Sequence, residues 1–274
     1  MANKGLQFEH AVMYVATSRI VNRDRQQERD FKDAAGRWDG IPNDIKAKAE
    51  EIVLDMAPSG TQNQQDYFKS FQKMSGGGEE PKTDIMFKSG ATTYKCSMKW
   101  GKSFQLTSAG VDRSVSVLQK VLEKVAMEYS TKKDAATLGY LQLLLEQISN
   151  KFENATGTMP QSRAKTLMAD VKKAGGINEQ LQSILGSKKN PRGDAVYDKF
   201  KFELTKECMT GEMLFGKNSD KTATHLFTEH GIKEIDDKAV REVMKVAGVR
   251  ISLKGRGKDP SGVRQNAISI RYEV

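Results

Sequence analysis

The hydrophobic pattern of this chain changes its period near Pro81, and that change restricts the fold more than any other feature. Apolar residues recur at helical spacing over 6–21 and again over 43–56. Residues 83–100 instead form two segments of strand-forming composition that are joined by a turn at Gly90. Because a chain with both patterns is neither all-helical nor all-β, the sequence predicts an α+β or α/β fold.

The rest of the chain is predicted to contain further helices and strands in three regions. The predicted elements are helices over 62–73, 112–129, 135–152 and 163–173, a helix ending at Met209, and strands over 103–107, 249–253 and 267–272. We divide the chain into a core over 1–130, a helical subregion over 131–189 and a C-terminal α/β part over 190–274. The C-terminal part either completes the core sheet or forms a small second domain, and the pattern leaves both arrangements open.

The charge balance favours a polyanionic partner. The 274 residues include 44 Lys and Arg against 35 Asp and Glu, which gives a net charge of +9. Such an excess is most often matched to nucleic acid, so DNA is the expected partner. A linker or exposed loop over 186–194 and a glycine-containing loop over 254–260 concentrate this charge. The candidate DNA-backbone contacts are Lys188, Lys189, Arg192, Lys254, Arg256, Lys258 and Arg264.

The N-terminal segment and the cysteines indicate a cytoplasmic protein. Glu9 and His10 interrupt the first amphipathic stretch, so we expect no signal peptide there. No stretch approaches the roughly 18 consecutive apolar residues of a membrane span, and no membrane partner is expected. Cys96 and Cys208 are too few for a disulfide framework, so we expect free thiols.

Asp84, Ser97 and Lys99 form the pattern that points most directly to chemistry. Asp84 lies on the first predicted strand and Lys99 near the end of the second, so both are expected at the same end of a sheet. Strand alternation places Ser97 and Lys99 on one face. An acid that holds Mg²⁺ and a lysine that orients water or stabilises developing charge suit phosphodiester hydrolysis. Gln105, on the next predicted strand, is a further candidate for this site.

These residues resemble the PD-(D/E)XK nuclease superfamily, whose members include restriction endonucleases, Holliday-junction resolvases and many phage enzymes. The resemblance covers residues 6–125 and is carried by three short segments. They are Pro81-Lys82-Thr83-Asp84-Ile85, Ser97-Met98-Lys99 and Phe8-Glu9-His10-Ala11-Val12.

The resemblance implies a restriction-endonuclease-like fold, in which a mixed sheet is flanked by helices. It implies Asp84 as the principal ligand of Mg²⁺ or Mn²⁺, Glu9 as a further metal contact, and Lys99 as the catalytic lysine. Ser97 is a departure, because the family usually places Glu or Asp two residues before the lysine. A hydroxyl at this position weakens the metal site, moves a ligand elsewhere or marks an inactive relative.

The leading hypothesis is a Mg²⁺-dependent DNA nuclease of phage origin, located in the host cytoplasm or the virion. The competing hypothesis is a non-catalytic DNA-binding protein on the same fold, such as a phage protein that binds DNA ends or completes a head. A weaker alternative is a virion or scaffold protein whose helical middle region binds other proteins. A homodimer and phage virion proteins are the other partners considered. The simplest alternative is that Asp84 and Lys99 form an ordinary surface ion pair, worth ~0–1 kcal/mol.

Overall fold

The computed structural model shows an α+β fold and divides the chain into two compact units. The first unit comprises Met1–Lys102 and Met209–Ala239, and the second comprises Ser103–Cys208 and Val240–Val274. The structure describes residues 4–74, 81–101, 104–135, 138–139, 141–142, 158–159, 191–246, 248–258 and 264–273.

The described helices and strands follow one another in this order. They are α1 (Lys4–Ser18), α2 (Arg25–Trp38), α3 (Asn43–Asp55), α4 (Thr61–Lys69), β1 (Gln72–Lys73), β2 (Ile85–Ser89), β3 (Thr92–Met98), β4 (Phe104–Gly110), α5 (Val111–Thr131), β5 (Thr158–Met159), α6 (Pro191–Thr210), α7 (Glu212–Phe215), β6 (His225–Thr228), β7 (Gly231–Glu234), α8 (Asp237–Val246), β8 (Gly248–Lys258) and β9 (Arg264–Glu273). Among the described helices, none is both long and apolar enough to cross a membrane.

The first unit contains an open, mixed sheet of five strands in the order β1-β2-β3-β6-β7. β2 and β3 form the antiparallel hairpin that the sequence predicts, with Ile85 opposite Cys96. β6 lies parallel to β3, with His225 opposite Cys96, and β7 returns antiparallel to β6. The sheet therefore combines a local hairpin with strands from a distant part of the chain.

The helix α1 packs on this sheet through its apolar side. Its buried residues include Phe8, Ala11 and Val12, and the helix predicted over 6–21 is confirmed. The Phe8 ring lies 5.2 Å from the Phe227 ring of β6 and 5.0 Å from the Trp100 ring beyond β3, both edge to face. Phe8 thus fixes the helix turn that also carries Glu9. The helix predicted over 43–56 is confirmed as α3.

The helix α2 was not predicted, although Phe31, Ala34 and Trp38 recur at helical spacing in its second half. Ala34 is its buried residue among those described. A capping box starts the helix: the Asp24 carboxylate accepts the backbone N–H groups of Gln26 and Gln27, and the Gln27 side chain accepts the Asp24 N–H at 3.0 Å. The Tyr14 ring of α1 stacks with the rings of Phe31 and Trp38, so packing as well as the cap stabilises this helix.

The helix predicted over 62–73 is wrong in its last turn. α4 ends at Lys69, and the Ser70 N–H donates to the Asp66 carbonyl at 3.1 Å. Gln72 and Lys73 instead form the short edge strand β1, with Lys73 opposite Ile85 of β2. Pairing with another strand satisfies these backbone groups, and it overrides the local helical pattern.

The second unit contains an antiparallel sheet in which β9 pairs with β4, β5 and β8. The strands predicted over 249–253 and 267–272 are confirmed as parts of β8 and β9, and the helix predicted over 112–129 is confirmed as α5. The strand predicted over 103–107 is present as β4, which pairs with β9 of this unit.

The loops predicted over 186–194 and 254–260 are partly wrong. Lys254, Arg256 and Lys258 lie within β8, because antiparallel pairing with β9 continues to Lys258 opposite Arg264. The register shifts between Gly255 and Lys258, where glycine accommodates an irregular strand. Arg192 lies in the first turn of α6, whose first residue is Pro191.

Some sequence predictions lie outside the described residues. The helix predicted over 163–173, Lys188 and Lys189 are among them. The helix predicted over 135–152 is described only at 135, 138–139 and 141–142.

Gly211, between α6 and α7, provides a test of the packing beside the hairpin. Its φ is +71°, and an added Cβ would lie 2.7 Å from Cγ of Lys82 and 2.9 Å from Cδ2 of Phe215. We expect Gly211→Ala to lower the free energy of unfolding by about 1–2 kcal/mol from the left-handed backbone alone. Gly36→Ala is the matched control: a Cβ there meets nothing within 4 Å, so this helical substitution should raise stability by about 0.5–1 kcal/mol. Urea denaturation measures the change in the free energy of unfolding for each variant. Equal changes in both variants would contradict the expectation.

Candidate functional site

The candidate site lies in the first unit, where β2 begins and β3 ends. Asp84 immediately precedes β2, and Lys99 immediately follows β3. The Asp84 N–H donates to the Cys96 carbonyl at 2.8 Å, and the Lys99 N–H donates to the Phe227 carbonyl of β6 at 2.9 Å. Because both residues are tied to the sheet by their backbones, the hairpin brings an acid and a lysine together at one sheet end.

The Asp84 carboxylate is the centre of this arrangement. Its Oδ2 accepts the Met98 N–H at 2.6 Å and the Ser97 hydroxyl at 3.4 Å. The Lys99 ammonium lies 3.8 Å from the same oxygen and donates to the Met98 carbonyl at 3.0 Å. The Asp84 side chain remains 29% exposed and that of Lys99 18% exposed. The pair is thus held in place while still open to a small ligand.

Ser97 is buried beneath this pair, with 3% of its surface exposed. It supplies a hydroxyl that donates to Asp84 rather than a second carboxylate. Its contribution in this structure is therefore to orient Asp84.

Glu9 joins the site from α1, together with a lysine that no sequence pattern identified. The Glu9 Oε1 atom lies 2.9 Å from Nζ of Lys73, on β1. The pKa of Glu9 is raised above its usual value, mainly because the side chain is buried, and the negative charge of Asp84 also raises it. The positive charges of Lys73 and Lys99 act in the opposite direction. Glu9 is therefore within electrostatic range of both Asp84 and Lys99. Lys73 gave no signal in the sequence, because it fell at the end of a predicted helix.

A buried histidine lies on the far side of Lys73. His10 Nδ1 lies 3.6 Å from Oδ2 of Asp33, and the same Asp33 oxygen lies 4.0 Å from Lys73 Nζ. Burial, with the positive charges of Lys73 and Arg37, lowers the pKa of His10 to about 4. His10 is therefore neutral at neutral pH and does not add to the positive charge of the site.

The side chains of the site fit a hard cation in their chemistry. Mg²⁺ prefers oxygen ligands and is commonly held by one or two carboxylates while it keeps several waters and binds substrate phosphate. Asp84 and Glu9 are two such carboxylates, and Asp84 is partly exposed. Within the described residues, no group of three or more His, Cys, Asp or Glu side chains is placed to hold a metal ion. Asp84 and Glu9 are thus the two carboxylates of the site that could contribute oxygen ligands.

Four lysines lie on three chain segments that hydrogen bonds join, namely the residues just before Asp84, strand β3 and the turn over 216–222. The Lys82 N–H donates to the Lys221 carbonyl at 2.8 Å. The Lys95 ammonium donates to the Ser219 carbonyl at 2.8 Å, and Lys217 is exposed in the same turn. We call Lys82, Lys95, Lys217 and Lys221 the lysine group. No sequence pattern identified this group, because its members are close only in the folded chain.

The other candidates lie in the second unit. Gln105 is on β4, opposite Arg271 of β9. Arg192 is on α6, Lys254, Arg256 and Lys258 are on β8, and Arg264 begins β9.

The first unit contains two acid–lysine pairs, Glu9–Lys73 and Asp84–Lys99. Two carboxylates, two lysines and a hydroxyl converge there, in a setting that remains partly open to solvent. Comparison with known proteins found no match to a protein-family model, a curated protein or a solved structure. The function of the chain is therefore inferred from this geometry.

Proposed function

We propose that this chain is a Mg²⁺-dependent DNA nuclease whose restriction-endonuclease-like core is the first unit. The observation that carries the proposal is the cluster at Asp84, where Lys99 Nζ lies 3.8 Å and the Ser97 hydroxyl 3.4 Å from one carboxylate oxygen. The test is cleavage of plasmid and linear DNA by the full chain, with Mg²⁺ or Mn²⁺ and without either metal.

The architecture around the cluster supports the proposal. An open mixed sheet packed against helices is the arrangement that the resemblance implies. The three segments that carry the resemblance come together in space: α1 supplies Glu9, the start of β2 supplies Asp84, and the end of β3 supplies Lys99. Such convergence of acids and a lysine from three elements favours a chemical role over an isolated surface ion pair.

In the proposed reaction Asp84 would hold the metal, and Glu9 would be the second carboxylate of the site. The bound ion would lower the pKa of a coordinated water and neutralise charge on the phosphate. The Lys99 ammonium lies 3.8 Å from Oδ2 of Asp84, where it would stabilise negative charge that develops on the phosphate. The Met98 N–H and the Ser97 hydroxyl keep Asp84 in one orientation, which reduces the reorganisation needed during the reaction.

The lysine group is proposed to contact the phosphate backbone of DNA beside Asp84. We expect the double variant Lys217→Ala/Lys221→Ala to bind duplex DNA more weakly. The slope of log affinity against log salt concentration should decrease by about 0.9 for each phosphate that the variant no longer neutralises. Fluorescence anisotropy at several salt concentrations measures both quantities.

The matched control for this prediction is Lys32→Ala/Lys48→Ala. It removes the same two charges from helices, where these lysines form ion pairs with Glu28 and Glu51. An equal change of slope in both double variants would show that only net charge matters and would contradict a local contact.

A non-catalytic DNA-binding protein on the same fold is the second candidate. Ser97 favours it, because a hydroxyl stands where the family usually carries an acid. Salt-sensitive DNA binding by the wild type, without cleavage under any metal condition, would support this candidate against the nuclease.

A further inference from the structure

The net charge of the chain is carried entirely by the second unit. That unit contains 24 Lys and Arg against 15 Asp and Glu, which gives +9, whereas the first unit contains 20 of each and is neutral. A polyanion is therefore attracted mainly to the second unit. The candidate site at Asp84, by contrast, belongs to the neutral unit.

The sheet of the second unit has one mostly apolar face. Strand register and alternation place three rows of residues on it, each of which runs from β4 through β9 to β8. The rows are Phe104, Tyr272 and Val249; Thr107, Ile270 and Ile251; and Ala109, Ile268 and Leu253. The helix α5 contacts β4 and β9, and its buried residues include Val121, Leu122 and Val125. Because apolar helix surfaces pack on the apolar face of a sheet, the opposite face is turned away from α5.

The opposite face of this sheet is polar and positively charged. Its three rows, in the same strand order, are Gln105, Arg271 and Arg250; Ser108, Ser269 and Ser252; and Gly110, Ala267 and Lys254. We call these nine residues the arginine face. Glu273, opposite Gly248, is the single acid of the described strands β4, β8 and β9. Cations therefore outnumber acids on this surface.

The pairing of two arginines points to an anionic ligand. Arg250 and Arg271 are direct Cα partners, and like charges opposite each other in antiparallel strands destabilise a sheet. Lys254 adds a third positive charge about 13 Å further along β8. An anion bound across these residues would compensate the repulsion between them.

The composition of the arginine face fits the backbone of a nucleic acid. Arg, Lys, Ser and Gln are residue types that commonly contact phosphate and sugar groups of DNA. The nine residues include no aromatic residue, so the face provides no platform on which unpaired bases could stack. They also include no large apolar residue of the kind that inserts into a membrane surface. These features favour duplex DNA over single strands and over lipid.

We propose that the arginine face, through Arg250, Lys254 and Arg271, binds the phosphate backbone of duplex DNA. This inference rests on the proposed function for the identity of the polyanion. It places sequence-independent DNA binding in the second unit, whereas the proposed chemistry belongs to the first.

The test measures binding of the full chain to a labelled DNA duplex without divalent metal, by fluorescence anisotropy at several salt concentrations. We expect Arg250→Thr/Arg271→Thr to bind more weakly and to lower the slope of log affinity against log salt concentration by about 1.8, or 0.9 for each of two phosphates. Arg250→Lys/Arg271→Lys, which keeps both charges, should retain the wild-type slope. Lys120→Ala/Lys132→Ala is the matched control, because it removes two charges from exposed positions on and just after α5 of the same unit.

Thermal melting separates a binding role from a structural one. Since the threonine variant removes two like charges from paired positions, its melting temperature should equal or exceed that of the wild type. Weaker DNA binding by a variant that is at least as stable as the wild type would support the inference.

The other outcomes separate this inference from the proposed function. An equal change of slope in the threonine variant and the control would overturn the inference, because only net charge would then matter. A wild-type slope in the threonine variant would also overturn it, and a lower slope in Lys217→Ala/Lys221→Ala would then leave DNA contact with the lysine group. Binding of the wild type to phosphatidylserine vesicles but not to duplex DNA would overturn it in favour of a membrane surface. A lower slope in the threonine variant, with no cleavage by the wild type in Mg²⁺ or Mn²⁺, would support this inference and contradict the nuclease.

Discussion

Lys99→Met is expected to lower the rate of metal-dependent DNA cleavage by a factor on the order of 10²–10³, and Asp84→Asn by at least as much. Lys99 places a positive charge 3.8 Å from Asp84, and Asp84 is the more exposed carboxylate of the site. Loss of Lys99 would remove the proposed charge stabilisation, and loss of the Asp84 carboxylate would remove the proposed metal ligand. The measurement is the initial rate of plasmid nicking and linear DNA degradation in Mg²⁺ or Mn²⁺ at equal protein concentration.

Lys88→Met serves as the control for this experiment. Lys88 is exposed on β2, so its loss removes the same charge without touching the cluster. Wild-type rates in Asp84→Asn or Lys99→Met would contradict the proposed site. If cleavage is lost while salt-sensitive DNA binding persists in both variants, the effect belongs to the chemical step rather than to binding.

Phe8→Ala is expected to have the largest effect on stability among the substitutions considered, a loss of about 3–5 kcal/mol. Phe8 is completely buried, and its ring contacts both Trp100 and Phe227. Its removal leaves a cavity between α1 and the sheet of the first unit. Urea denaturation followed by tryptophan fluorescence is a suitable measurement, since Trp100 is a direct neighbour.

Leu6→Ala is the matched control on the same helix. Leu6 is 43% exposed, so its truncation should cost within about 0.5 kcal/mol. A similar small loss for Phe8→Ala would show that α1 is not held to the sheet through Phe8. The placement of Glu9 would then need another explanation.

Local pattern was enough to predict much of the first unit. The helices α1 and α3 have apolar residues at helical spacing, and the β2–β3 hairpin has strand-forming segments on both sides of Gly90. The helix α2 was missed, because its apolar residues at helical spacing are few among mostly polar neighbours. Hydrophobic periodicity also extended α4 through Lys73, because strand pairing at an edge has no local signature.

Some residues of the candidate site were also predictable from local pattern, whereas others were not. Asp84, Ser97 and Lys99 belong to one hairpin, so their proximity follows from antiparallel pairing of neighbouring segments. Glu9 was identified through the resemblance of its helix segment, and the distance to its partner was not predictable. The Lys73–Glu9 contact and the lysine group join residues that only the folded chain brings together.

The sequence by itself determined the mixed fold class, the hairpin and the residues on which its chemistry is proposed, because periodicity and turns are local properties. The tertiary structure decided which distant strand joins the hairpin and which cation faces Glu9. Lys95 and Thr224, which are hydrogen-bonded where β3 meets the chain before β6, are 129 residues apart. Pairing over such a separation depends on the packing of whole elements, which no short stretch of residues encodes.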